Sequence, residues 1–348
     1  MQSKDMVKQA AGGARERLDA EEWSRFWERS TLTTFEGHFS GNYDAEIREF
    51  WRAALAPLPP GAVVVDLATG NGAIPLLAAE FAREEGKPLQ ITGLDSAAID
   101  AARLKAARPE LAAGLDAVTL RGGTPLEATG LPAASVDLVT SQYGFEYGDT
   151  AAGGREIARI LRPGGRLAMI IHHDESAILS QAREGLRQHR LCFEQERFVY
   201  LARKMIKIFR GLKTGPQRGG VHWTPGAIKV REELMGAAQR LQQYARRPEV
   251  RREDAGFLEF MVPSVLRLLE QSRALSPVAV EQAWSEIEGE AEAYRLRMAD
   301  LVSAACGEQD MARLEAELGA AGLTDLARAP LVYRADLLLG WTLRGRKP

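Results

Sequence analysis

The chain runs to 348 residues, 45% of them apolar and 26% charged, with a formal net charge of -2. That is ample chain for one large core plus an accessory module, as expected of a soluble enzyme of more than one part. Cys192 and Cys306 have neither pairing nor metal-ligand spacing, which argues against a disulfide framework and for a reducing compartment.

The opening MQSKDMVKQAAGGARERLDAEE lacks the apolar core of a signal peptide, and no run elsewhere reaches the length of a membrane span, so a cytoplasmic location is expected. Residues 1–60 read as a frayed start followed by helices. Trp23, Phe26 and Trp27 fall on one face of the first, and a second over about 43–55 is closed by Pro57, Pro59 and Pro60. Residues 61–174 then alternate strands and helices. They open with VVVDLATGNGAIPLL, a β-branched run suited to a strand buried on both faces, ended by Asp66 where side chains emerge at a sheet's carboxyl edge. Gly70 and Gly72 let the backbone bend and let a ligand approach without meeting a Cβ. Pro75 fits the first turn of the following helix, where its missing N–H costs nothing. The next strand, 89–94, leads into Asp95, whose two oxygens can both accept from ribose hydroxyls. Strand, glycine-rich turn, helix and answering acid describe a nucleoside-binding α/β unit. A proline near the place of the third glycine of a dinucleotide fingerprint disfavours NAD.

Further along, SVDLVTSQYGFEY (135–147) reads as a fourth strand and its exit. EIARILRPGGRLAMII (156–171) reads as a helix that ends in a Pro-Gly-Gly turn and feeds a fifth strand. From 175 to 306 the alternation gives way to long helical patterns broken at 211–220, Pro248 and Pro277. An amphipathic helix over 311–321, ended by Gly322, precedes strands near 331–333 and over 335–343.

These segments together resemble the class I S-adenosylmethionine-dependent methyltransferases, over 63–173 and again from about 311 to 347. The family's acid and glycine-rich turn correspond to Asp66, Ala68, Gly70 and Gly72, with Ala68 in place of the first glycine, and its second acid corresponds to Asp95. The resemblance implies an α/β, Rossmann-like fold: a seven-stranded mixed sheet of order 3-2-1-4-5-7-6, its last strand antiparallel, flanked by helices. It also implies a division into a helical leader (1–60), a cofactor-binding core (61–174), a large helical insertion after the fifth strand (175–306), and a final helix with the closing strand hairpin (307–348). The implied cofactor is S-adenosyl-L-methionine, with Asp66, Ala68, Gly70, Gly72, Asp95, Ser96, Thr124 and Gln142 as its binding residues. Gly122, Gly123 and Thr124 stand where the family often places an acid beside the adenine, which makes Thr124 the candidate for that contact.

Methyl transfer from a sulfonium is an in-line displacement at carbon, so the protein must chiefly align the partners and exclude water. A base is needed only where the acceptor must lose a proton. His172 and His173 end the fifth strand, and a neutral imidazole there can take a proton from a hydroxyl or amine. Strand neighbours point to opposite faces, so one of the two is expected at the pocket and the other as a hydrogen-bonded strand-end histidine. No third ligand has a metal spacing with the pair, and no metal is expected. Tyr143, Glu146 and Tyr147 follow the fourth strand and are expected on the substrate side, while Gln142 beside them can hold the methionine end. Phe39 and Tyr43 read as ordinary core packing.

Between 183 and 252 there are 17 basic and 6 acidic residues, among them Arg203, Lys204, Lys207, Arg210 and Lys213. A solvated helix face, an anionic group on a substrate and an RNA backbone are the open readings. RFVYLARKMIKIFRGLK also has an amphipathic pattern, with Phe198, Leu201, Met205, Ile208 and Phe209 on its apolar side, and membrane-surface binding is a lesser option. The insertion reads as a lid over the sheet's carboxyl edge or as a dimerisation bundle. The expected function is methylation of an oxygen or nitrogen on a small molecule of specialised metabolism, an anionic one among the options. RNA or protein methylation, or a non-catalytic binding protein of the same fold, are the alternatives. Nucleic acid is not favoured as a partner, stable membrane insertion is not expected, and a homodimer is left open.

Overall fold

The computed structural model describes residues 17–34, 41–211, 223–251, 254–334 and 336–348. The expected break at 211–220, apart from its first residue, lies outside them. So do the frayed start up to residue 16, Phe39, Lys213 and Ala335, the first residue of the strand expected over 335–343. The chain forms two compact units, one of Met1–Leu179 with Ser303–Pro348 and one of Ser180–Val302.

The first unit is built on a seven-stranded sheet of order β3-β2-β1-β4-β5-β7-β6, the order expected. β1 (Val63–Leu67), β2 (Gln90–Leu94), β3 (Thr119–Arg121), β4 (Val136–Gln142) and β5 (Leu161–His172) run parallel. β7 (Leu337–Arg346) lies antiparallel between β5 and β6 (Thr324–Tyr333). Two-residue periodicity divides the buried strands between the sheet's faces. Val64, Leu138 and Ile170 pack with Ile47, Phe50 and Trp51 of α2 (Ala45–Leu55) and with Ile74 and Phe81 of α3 (Ala73–Glu84). Val65, Leu67, Met169 and Ile171 pack on the other face with Ile157 of α6 (Thr150–Ile160), Leu314 of α12 (Glu308–Ala320) and Trp341. The chain winds outward from β1 through β2 to β3 and returns to β4 on the other side of β1, so ligands belong in the crevice beyond the carboxyl ends of β1 and β4.

Two strands begin ahead of the sequence expectation. β6 begins at Thr324 rather than near 331, because as the sheet's edge strand it tolerates polar residues and a proline, and Pro330 stands in register with Trp341. β5 begins at Leu161, ahead of the Pro-Gly-Gly sequence. Leu161 pairs Val136 and Arg166 pairs Leu138, so residues 162–165 leave the ladder as an irregularity within the strand, with Gly164 at φ 78°.

The leader helix α1 (Ala20–Trp27) opens on a capping box between Asp19 and Glu22. Short helices α4 (Ala101–Ala107) and α5 (Ala112–Asp116) connect β2 to β3.

The second unit is helical: most of α7 (Ala177–Arg190), then α8 (Phe198–Gly211), α9 (Pro225–Ala245), α10 (Gly256–Gln271) and most of α11 (Pro277–Ala304), with one π-turn at Leu191–Gln195. It has a separate core that includes Phe198, Met205, Leu234, Met261, Val265 and Trp284. Phe198, Leu201 and Met205 on the apolar side of α8 are buried in that core, with Ile208 and Phe209 packed against it. Pro277 opens α11, and Pro248 lies between α9 and α10. Arg203 pairs with Glu281 and Glu288, Arg210 with Glu281, and Arg240 with Glu196, so part of the basic excess is answered inside the unit. No described helix is long and apolar enough to cross a membrane.

Candidate functional site

At the carboxyl edge the β1 turn is held by its own acids. Asp66 is buried and accepts from the Thr140 hydroxyl of β4 at 2.7 Å. Burial raises its pKa to about 7, against the opposing pull of the Thr140 hydrogen bond. Asp95, just past the end of β2, accepts from the amide of Gly70 at 2.7 Å and from that of Ala97 at 2.8 Å, one on each oxygen. Burial raises its pKa too, and those two amides work against the rise. Asp66, Ala68, Gly70, Gly72 and Asp95 are thus brought together around one turn. Ser96 is exposed beside them.

Gly70 and Gly72 lie at φ 52° and 86°, and Gly72 caps the N-terminus of α3. Ala68 also has a left-handed backbone, at φ 52°, where an L residue is strained. Gly144 faces it: a Cβ on residue 144 would collide with that of Ala68. The missing glycine of the turn is therefore matched by a glycine on the loop after β4. Residues 122–124 lie against the Asp95 loop. The Thr124 amide donates to the Asp95 carbonyl at 2.7 Å, and a Cβ on Gly122 would meet the backbone of 97–99.

Gln142, at the end of β4, points into a buried corner. The Trp51 indole, a donor only, gives its Nε1–H to Gln142 Oε1 at 2.6 Å and so fixes the amide's orientation. Tyr43 interacts with the same amide and is itself a core residue.

The exit of β4 gathers the remaining candidates. Tyr143, at φ 54°, turns sharply and stacks its ring on that of His172, with centroids 4.3 Å apart. Tyr147 approaches the same imidazole edge-on at 6.0 Å. Glu146 is buried; its Oε1 accepts the His172 backbone N–H at 2.8 Å, and its Oε2 has no hydrogen-bond partner. Burial raises the Glu146 pKa to about 7, with the backbone amides of His172, Glu146 and Gly144 opposing. Burial alone drives His172 the other way, to about 3. His173 lies on the opposite side: its ring stacks on Trp341 at 4.2 Å and its Nδ1 accepts the Glu175 N–H at 3.0 Å. Tyr143, Glu146, Tyr147 and His172 therefore form one group, and His173 stands outside it. Among the described residues no cluster of His, Cys, Asp or Glu has metal-binding geometry.

The aromatic face of α1 covers this edge. Trp27 packs against the turn so closely that a Cβ at Gly70 would run into its indole, and the Asn71 side chain donates to the carbonyls of Trp27 and Thr31. Ser24 Oγ accepts the Ala98 amide at 2.8 Å, Trp23 meets Tyr147 edge-on at 5.7 Å, and Arg17 donates to the carbonyls of Tyr147 and Gly148. The sequence reading placed Trp23, Phe26 and Trp27 on one helix face and gave that face no task. Its spacing without an assigned core position was the available signal.

Residues 65–169 match the family described as "Methyltransferase domain". No curated protein matches the chain. Among solved structures, a geranyl diphosphate methyltransferase in complex with GPP and sinefungin is 24% identical over 36% of this chain and 44% of its own, with a TM-score of 0.31. Geranyl diphosphate C-methyltransferase from Streptomyces coelicolor A3(2), in complex with Mg2+, geranyl diphosphate and S-adenosyl-L-homocysteine, is 19% identical over 44% of this chain and 64% of its own, with a TM-score of 0.33. The [4+2]-cyclase SpnF is 14% identical over 95% of this chain and 97% of its own, with a TM-score of 0.41. The chain thus spans less than two thirds of the first two of these proteins.

Proposed function

We propose, from the match of residues 65–169 to the family described as "Methyltransferase domain", that this chain transfers a methyl group from S-adenosylmethionine to a hydroxyl or amine of a small molecule. The observation that carries the reading is the Asp95 carboxylate, fixed at the carboxyl edge by the Gly70 and Ala97 amides, beside the crevice where the strand order reverses.

A nucleoside fits the residues present. Each Asp95 oxygen takes one amide and keeps acceptor capacity for a ribose hydroxyl. Gly70 and Gly72 allow the left-handed backbone of the turn, Ser96 and Thr124 border the Asp95 loop, and Asp66 ties the end of β1 to β4 through Thr140. When bound, the sulfonium supplies an electrophilic methyl. The chain's own part is to hold the ribose at Asp95, cover the turn with Trp27 and orient the acceptor with Tyr143, Glu146, Tyr147 and His172. A buried carboxylate among aromatic rings suits one small reacting group better than the flat surface of a macromolecule.

Isothermal titration with S-adenosylhomocysteine tests the reading. The wild type should bind it, and Asp95→Ala should weaken binding by about 1–3 kcal/mol through lost charge-assisted hydrogen bonds. A folded wild type that takes up neither S-adenosylmethionine nor its demethylated product would end the proposal.

A further inference from the structure

We infer that Glu146, rather than either strand-end histidine, faces the transferred methyl and receives the acceptor's proton. This rests on the methyltransferase reading above. Three observations of geometry carry it.

The first is position. Asp95 and the glycine-rich turn occupy the ends of β1 and β2, and Glu146 stands on the far side of the switch point, in the turn that leads from β4 to α6, and accepts from the amide at the end of β5. A nucleoside anchored at Asp95 and extending along the crevice brings its reactive end toward β4.

The second is the unmatched oxygen. Oε1 is fixed by the His172 amide, which orients the carboxylate, while Oε2 is buried and without a partner. A buried acceptor left without a donor is costly and calls for an explanation; a proton arriving on Oε2 from a hydroxyl or amine satisfies it.

The third is the failure of the alternatives. His172 is stacked on Tyr143 and burial lowers the proton affinity of its imidazole, the reverse of its effect on Glu146, and His173 is turned to Trp341 with Nδ1 committed to the Glu175 amide.

The reaction balances with the groups named. The acceptor's lone pair forms the new bond to the methyl carbon as the methyl–sulfur bond breaks, its electrons staying on sulfur. The acceptor's proton passes to Glu146 Oε2, and the neutral carboxylic acid then releases it to solvent. A carboxylate of near-neutral pKa is matched to this task at physiological pH.

The groups that face Glu146 are the rings of Tyr143, Tyr147 and His172, with the Arg17 guanidinium on the carbonyls of Tyr147 and Gly148. Glu127 and Asp149 lie beyond Gly148. Against that background a sulfonium cation close to Glu146 favours its ionised form, so binding the charged donor must expel a proton that binding the uncharged product does not.

Titration calorimetry at pH 7 in two buffers of different ionisation enthalpy reads that proton directly, with S-adenosylmethionine and S-adenosylhomocysteine as probes. The wild type should release about half a proton more on binding S-adenosylmethionine, with affinity for it relative to the product rising several-fold between pH 6 and 8. Glu146→Gln should abolish the difference while keeping the thermal midpoint and the affinity for S-adenosylhomocysteine. His172→Asn, which keeps the backbone amide, should preserve the difference. Equal proton release for both probes in the wild type, or a difference that survives in Glu146→Gln or vanishes in His172→Asn, overturns the assignment of Glu146 alone. Absence of binding by either probe overturns the donor reading and this inference with it.

Discussion

A single methyl group decides how the turn after β1 closes. Ala68 holds a left-handed backbone, which disfavours an L residue by about 1–2 kcal/mol, and its Cβ occupies the room left by Gly144. Gly144 itself has φ -146°, outside the left-handed region, so the chief obstacle to an alanine there is the steric conflict with residue 68 and its neighbours. Gly144→Ala should destabilise the protein by about 1–3 kcal/mol, the usual penalty for overpacking. Ala68→Gly alone should change little, since relief of the strained backbone is offset by the freer unfolded chain. The double variant should recover most of the loss. A urea-denaturation double-mutant cycle gives the coupling, and strictly additive effects would refute it. Asp66, Gly70, Gly72 and Asp95 were legible in the sequence because a strand, tight turn and helix impose local rules on the residues that build them. The pairing of Ala68 with Gly144 was not, because it joins distant parts of the chain. The histidines show the same boundary: their chemistry is written in the residue type, but burial sets their proton affinity, and burial is a property of the fold.

Among the elements, α1 departs most from what its sequence announces. Its cap and its aromatic face are local features, readable in the chain, yet none of its residues is buried and its hold on the core comes from contacts with the β1 turn and the β4 exit. Trp27 stands directly on the glycine-rich turn. Trp27→Ala should therefore open the turn to solvent and raise the dissociation rate of S-adenosylhomocysteine about tenfold, equivalent to roughly 1.4 kcal/mol. Stopped-flow displacement measures it, and an unchanged off-rate would mean that the leader does not cover a bound nucleoside. The strands mark a similar limit. β1 opens on the continuous apolar run of a strand buried on both faces, and β1, β2 and β4 were readable within a residue or two. The first half of β6 has no such pattern, because an edge strand gains its place from the hydrogen-bonding register with β7 rather than from burial.

At the scale of the whole molecule, the break between units follows from where apolar residues find partners. The sheet unit carries two clusters, one on each face, and the helical unit carries its own. The change from alternating to purely helical periodicity made the insertion visible in the sequence, near 175 and 306, and the structure places the unit between Ser180 and Val302. What the sequence could not reveal is how the two ends of the insertion are tied. His173 and Cys306 form an isolated parallel bridge, in which the Cys306 amide donates to the His172 carbonyl at 2.8 Å and the Asp174 amide to the Cys306 carbonyl at 3.1 Å. The Trp341 indole closes the same point by donating to the Cys306 carbonyl at 2.9 Å. With the chain pinned there on the sheet side, replacing Ser180–Val302 by a short Gly/Ser linker need close only a small loop, and closure entropy grows slowly with length. The shortened protein should unfold in a single cooperative transition and bind S-adenosylhomocysteine within about threefold of the full chain, a difference below 1 kcal/mol. Loss of cooperative unfolding would mean that the sheet unit depends on the helical unit for its stability. Intact folding with lost binding would place part of the cofactor's hold in the helices, and so move the donor site beyond the residues of the β1 turn.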